Sequence, residues 1–205
     1  MWGTVLKRDL LGEIREEDKF HTKEKLREYL ELEIHKQGKN VVIKNLDVSL
    51  VEDLSGLFEG YMNIESLDLS GWKTSNVKDM SWMFGGCKTL ESLDLSGWDV
   101  SNVRNMSHVF SFCDKLESLD LSGWDTSNVE DMTTMFFSCT NIESLDLSSW
   151  DVSKVKNMWN MFNECKNLKS LDLSGCDTSN VENMSYMFYE CPAPYKVVGN
   201  KIVKK

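Results

Sequence analysis

Leu93-Asp94-Leu95-Ser96-Gly97-Trp98-Asp99-Val100-Ser101-Asn102-Val103-Arg104-Asn105-Met106 returns, lightly varied, every 26 residues. Its columns are unbroken. Leu67, Leu93, Leu119, Leu145 and Leu171 form one. Trp72, Trp98, Trp124 and Trp150 form another, with Cys176 in the next place. Cys87, Cys113, Cys139, Cys165 and Cys191 form a third. Five units follow one another without insertion, a register that chance does not produce.

Each unit divides in two. In Ile64-Glu65-Ser66-Leu67-Asp68-Leu69-Ser70, the leucines alternate with polar residues, which is the period of a short strand. From Ser75 to Cys87, the residues Val77, Met80, Phe84 and Cys87 recur at helical spacing, with Ser75 as a candidate N-cap. Ser127 with Glu130, and Ser179 with Glu182, match a capping box. The reading is one strand and one short helix per unit. No unit can bury its apolar side alone, so the units must stack. The expected fold is α/β: a short leucine-rich-repeat solenoid with a parallel sheet, capped at both ends.

A divergent sixth unit precedes the five. Val51, Leu54, Leu57 and Phe58 sit 26 residues before Val77, Met80, Met83 and Phe84. Residues 1–39 read as an N-terminal helical cap, with an amphipathic helix from Thr22 to Gln37 and Gly38 as its stop. Residues 40–191 are the repeats. Residues 192–205 read as a capping hairpin around Gly199-Asn200, whose lysines discourage edge pairing.

The repeat, with its Trp-Asp-Thr/Val-Ser-Asn-Val core, Met-Phe pair and cysteine, resembles that of BspA-like bacterial surface proteins over roughly residues 40–191. The resemblance implies a leucine-rich-repeat fold and a role in adhesion or protein binding, with no cofactor and no catalytic residues.

Charge narrows the partners. The chain carries a net charge of -10, and residues 63–191 hold 20 acids against 9 bases. A phosphate backbone needs clustered Lys and Arg, so direct nucleic-acid binding is disfavoured. A basic protein surface is the expected partner. No apolar run approaches the roughly 20 residues of a membrane span. Met1 to Asp9 shows no apolar signal core, and the cysteines read as free buried thiols. The expected location is the cytoplasm, with the cell surface as the alternative. His21, His35 and His108 lie in unrelated contexts, and neither a nucleophile–base set nor a metal-site spacing is present, so no enzyme activity is expected.

Two surfaces are candidates for recognition. An acidic strip is formed by Asp68, Asp94, Asp120, Asp146 and Asp172, flanked by Glu91 and Glu117. Its bland counterpart is that each Asp bonds nearby Ser hydroxyls or amides and holds the turn. The outward helix side offers Trp82, Phe112, Phe137, Trp159, Tyr186 and Tyr189. Such aromatics are enriched at interface hot spots. The tryptophan column reads as a stacked structural ladder. The function expected is an intracellular, non-enzymatic protein-binding module that occupies a basic surface of a partner, nucleic-acid-binding surfaces included, as an inhibitor would. The alternative is a bacterial adhesin.

Overall fold

The computed structural model describes residues 20–199 and 201–204. Residues 1–19, part of the expected N-terminal cap, lie outside these, as does Asn200 of the expected hairpin turn. The first element is α1 (Lys23–Gln37), opened by Thr22, whose hydroxyl accepts the Lys25 amide at 3.3 Å. It closes at Gly38, at φ 74°, whose N–H donates to the Ile34 carbonyl. Leu26, Leu30 and Ile34 face the first coil. Arg27 reaches the Gly56 carbonyl at 2.7 Å, so α1 supplies donors to the edge of that coil.

Short strands follow at 26-residue intervals: β1 (Asn40–Val42), β2 (Ser66–Asp68) and β3 (Ser92–Asp94) in one parallel sheet, and β4 (Ser144–Asp146) and β5 (Ser170–Asp172) in a second. Each residue pairs with the one 26 positions on: Leu67 with Leu93, Leu145 with Leu171. The antiparallel pair β6 (Tyr195–Val198) and β7 (Lys201–Lys204) ends the described chain.

The segments expected as short helices are not helical. Residues 80–87 and their equivalents form paired turns instead. A helix would send the Phe84 N–H to its own fourth-preceding carbonyl. Here it donates to Val109 of the next coil at 2.9 Å. Met80, Trp82 and Gly86 likewise reach Asn105, Ser107 and Ser111. The odd positions close the turns, with Met83 donating to Met80 and Cys87 to Phe84. Two four-residue turns put side chains inward at much the same spacing as a helix does. Each turn needs positive φ at its third residue. Trp82, His108, Thr134, Asn160 and Tyr186 supply the first, and Gly86, Phe112, Ser138, Glu164 and Glu190 the second. The divergent coil uses Gly56 and Gly60. The capping boxes do not form either: the Ser127 N–H donates to Asp125, and Glu130 meets Arg104.

The core is a set of columns running through all coils. Phe58, Phe84, Phe110, Phe136, Phe162 and Phe188 stack with ring centroids 5.5–5.7 Å apart and Tyr195 closes the row at 6.3 Å. Indole N–H groups of Trp72 and Trp98 donate to the preceding coil, at Ile43 (2.6 Å) and Leu69 (2.9 Å). Thiols of Cys87, Cys113, Cys139 and Cys165 donate to the carbonyls of Phe58, Phe84, Phe110 and Phe136. All six cysteines are free thiols.

Burial pushes the Cys87 thiol up to about 12 and the half-buried Cys176 thiol up to about 11, from 9.0. A raised acid favours the folded state while it stays protonated. That contribution is complete below pH 9 and is lost as pH climbs through the window from 9 to about 12. The urea midpoint is therefore expected to fall across this window, less steeply in Cys87→Ala. In native protein at pH 8, a thiol reagent should label Cys176 first and the column cysteines only after unfolding. Rapid native labelling of Cys113 or Cys139 would contradict this burial.

Candidate binding surfaces

The sheet side presents the aspartates in a row. β2 and β3 set Asp68 beside Asp94, and β4 and β5 set Asp146 beside Asp172. Each Oδ1 accepts the amide of the serine two residues on, at 3.1 Å for Asp68, 2.9 Å for Asp94, 3.0 Å for Asp120 and Asp146, and 2.8 Å for Asp172. The Ser122 amide and hydroxyl hold Asp120 below the ordinary carboxylate range, and the Ser148 hydroxyl and amide do so for Asp146. The Ser174 amide lowers Asp172. Lys44 neutralises Asp68 at 2.7 Å, whereas Asp94, Asp120, Asp146 and Asp172 form no ion pair among the described residues. Glu91 meets Lys115 at 3.5 Å, and Glu117 has no ion pair among the described residues.

A second column separates the structural job from the charge. Asp79, Asn105, Asp131, Asn157 and Asn183 hold their turns in the same way, each Oδ1 accepting the amide two residues on. An asparagine oxygen therefore suffices for this turn. The sheet-side column nevertheless carries a full charge in all five units, where neighbouring like charges repel.

The row crosses a break. Ser118-Leu119-Asp120 pairs as a strand with neither neighbour, although its sequence repeats that of β2 and β3. A concavity of about 820 Å³ opens there, lined by Leu93, Asp94, Trp98, Leu119, Asp120 and Trp124 among others. Leu119 is half-exposed, whereas its four equivalents are buried. The cause lies in the turn that follows each strand. At Gly71 and Gly97 φ is positive, and the Ser96 carbonyl points back to accept the Gly71 amide at 2.8 Å. At position 149 the repeat has serine, without positive φ. Its neighbours Gly123 and Gly175 share the serine-type turn. There the carbonyl points forward: Ser122 accepts from the Ser149 hydroxyl at 3.2 Å, and Ser148 faces Gly175. Because N–H and C=O oppose one another in a trans peptide, the Gly97 and Gly123 amides face each other where the two turn types meet. Two donors cannot bond, and the sheet parts on the β3 side. On the β4 side the turns match, and Ser118-Leu119-Asp120 is unpaired all the same.

The aromatic flank is less open than its outward positions suggest. Trp82 stacks on His108 at 4.1 Å and lies over Gly85, so both rings are half-covered. Burial lowers the His108 pKa. Phe112 and Phe137 meet edge to face at 5.0 Å and are half-buried. Trp159, Tyr186 and Tyr189 stay exposed, at 38%, 65% and 55%. Of the six, Trp82 packs on His108, Phe112 and Phe137 pack on each other, and Trp159, Tyr186 and Tyr189 stand exposed, the two tyrosines edge to face at 6.1 Å, so they make no continuous aromatic strip. Sequence reasoning did not single out Leu119, Trp124 or Ser149; the serine in a glycine column was the available signal.

Among the described residues, no cluster of His, Cys, Asp or Glu is placed to hold a metal ion, and no helix is long and apolar enough to cross a membrane. The family described as "Mycoplasma protein of unknown function, DUF285" matches residues 31–119 and again 107–200. No curated protein matches the chain.

Proposed function

The chain belongs to this Mycoplasma family of unknown function, DUF285, and for it we propose a non-enzymatic role: a leucine-rich-repeat-like solenoid that binds a partner protein through its acidic sheet face. The observation that carries this reading is the uniform charge of Asp68, Asp94, Asp120, Asp146 and Asp172, in a turn that Asn105 and Asn157 hold equally well. Charge that the turn does not need, kept against mutual repulsion, suits a basic partner. Occupying such a surface, including one that handles nucleic acid, would make the protein an inhibitor of its partner. Free buried thiols favour a reducing compartment, so we place the protein inside the cell.

Replacing Asp94, Asp120 and Asp146 together by Asn keeps the turn acceptors and removes three charges. This variant is expected to melt at or above the parent temperature and to capture basic proteins from bacterial lysate about tenfold less well. Glu52→Gln, Glu130→Gln and Glu182→Gln in one chain provide the same change in net charge elsewhere. Trp82→Ala with Phe112→Ala and Phe137→Ala tests the flank. Equal capture by the Asn variant and the parent would remove the acidic face from consideration.

A further inference from the structure

The break at Ser118–Gly123 leaves donors without acceptors. Trp72, Trp98 and Trp150 each bond a carbonyl of the preceding coil, the last at 3.4 Å. Trp124 is as buried as Trp98 over the whole side chain, but its indole N–H has no acceptor among the described residues and is not enclosed, the residue lining the concavity. The main-chain amides of Leu95 and Gly97 are also unbonded to main chain among the described residues, where Leu69 and Gly71 are bonded. The Gly123 amide is unbonded as well, as are those of Ser149 and Gly175 in the same type of turn. Apolar surface lies beside these donors at Leu93 and Leu119, and charge at Asp94 and Asp120. An unmatched indole donor, an apolar floor and a negative rim call for three features in one ligand: carbonyl oxygens, apolar side chains and cations.

We propose that this break is a docking cleft for an extended, lysine- or arginine-bearing peptide segment, whose main-chain carbonyls accept from the Trp124 indole and the exposed amides while its basic side chains meet Asp94 and Asp120. This deepens the preceding reading and rests on it. An extended chain alternates its side chains, so apolar and basic residues in turn satisfy floor and rim. The volume lies within the range that encloses a short ligand. Ser149 is then a specificity determinant that touches no ligand, because it sets the turn type that opens the cleft.

The probe is an acetylated, amidated Lys-Val-Lys-Val-Lys-Val peptide, with Glu-Val-Glu-Val-Glu-Val as its control, titrated by calorimetry. The parent is expected to bind the lysine peptide and not the glutamate one. Ser149→Gly restores the glycine that units one, two, three and five already carry, so the chain keeps its fold. With every turn glycyl, the amides align and the sheet closes: Gly97 and Gly123 amide exchange slows and affinity drops about tenfold or more. Trp124→Phe keeps the ring, removes the donor and is expected to lose several-fold. If Ser149→Gly and Trp124→Phe both bind like the parent while the Asp-to-Asn variant does not, the acidic face stands and the cleft is overturned. If the parent ignores the lysine peptide yet still captures basic proteins in a charge-dependent way, the cleft is again overturned and the face kept. Equal binding of both peptides overturns the charge complementarity itself.

Discussion

Phe110→Ala is expected to cost about 3–5 kcal/mol of unfolding free energy, at the top of the range for truncating a buried side chain. Phe110 is fully buried and sits between Phe84 at 5.7 Å and Phe136 at 5.5 Å, with Trp124 at 6.3 Å. Truncation removes both ring contacts and leaves a void that the ladder around it prevents from collapsing. The Phe110 amide bonds Met135 of the next coil, and its carbonyl takes the Cys139 thiol. The coils touch only their neighbours, so a lesion in mid-stack uncouples the two halves. Urea unfolding should broaden or split into two transitions. Phe188→Ala is the comparison, because that ring is half-buried and is the last phenylalanine of the row, with Tyr195 beyond it. A loss at Phe110 no greater than at Phe188 would mean that the phenylalanine column is not the axis of the core.

Gly175→Ala and Gly123→Ala are expected to move stability in opposite directions. A Cβ on Gly175 would lie 2.0 Å from the Ser148 carbonyl oxygen, a main-chain atom of the neighbouring coil. Relieving that overlap requires the two coils to move apart, at about 1–3 kcal/mol or more. At Gly123 nothing lies within 4 Å and φ is not positive, so the methyl meets neither atoms nor strain. Restricting the unfolded chain there should add about 0.4–1 kcal/mol. Thermal denaturation of the two variants reads the contrast directly. Two losses of equal size would show the sheet closed at Gly123, contrary to the geometry above.

The period of 26, the leucine-bearing strand segments and the aspartate row are legible in the sequence because each repeats at fixed offset and needs no knowledge of neighbours. The turn segment is not, because Val77, Met80, Phe84 and Cys87 suit a helix and a pair of turns alike. What decides is where the Phe84 amide goes, and that is a relation between coils 25 residues apart. A trace of the answer is visible in Gly56 and Gly60, which stand at the two positive-φ places of the first coil. The cleft is harder still. Ser149 is plain to see, but its effect acts through the orientation of one peptide and appears two coils away. The aromatic flank misleads for a different reason: Trp82 and His108 are outward by spacing and satisfy each other by stacking.

The break on the sheet side has an unbroken opposite. Across the same two coils, the amides of Met106, His108, Phe110 and Phe112 all bond Asp131, Thr133, Met135 and Phe137, at 2.8–2.9 Å. One wall of the stack is continuous while the other is parted. With the turn wall alone bonded at this point, widening the sheet side over Leu119 breaks no main-chain hydrogen bond of that residue. The sheet wall is parted on the far side of the same coil too, since Ser118-Leu119-Asp120 pairs with neither neighbour. The turn wall runs on through it, with Met132, Thr134 and Phe136 donating to Asn157, Trp159 and Met161. This coil is held to the stack by its turns.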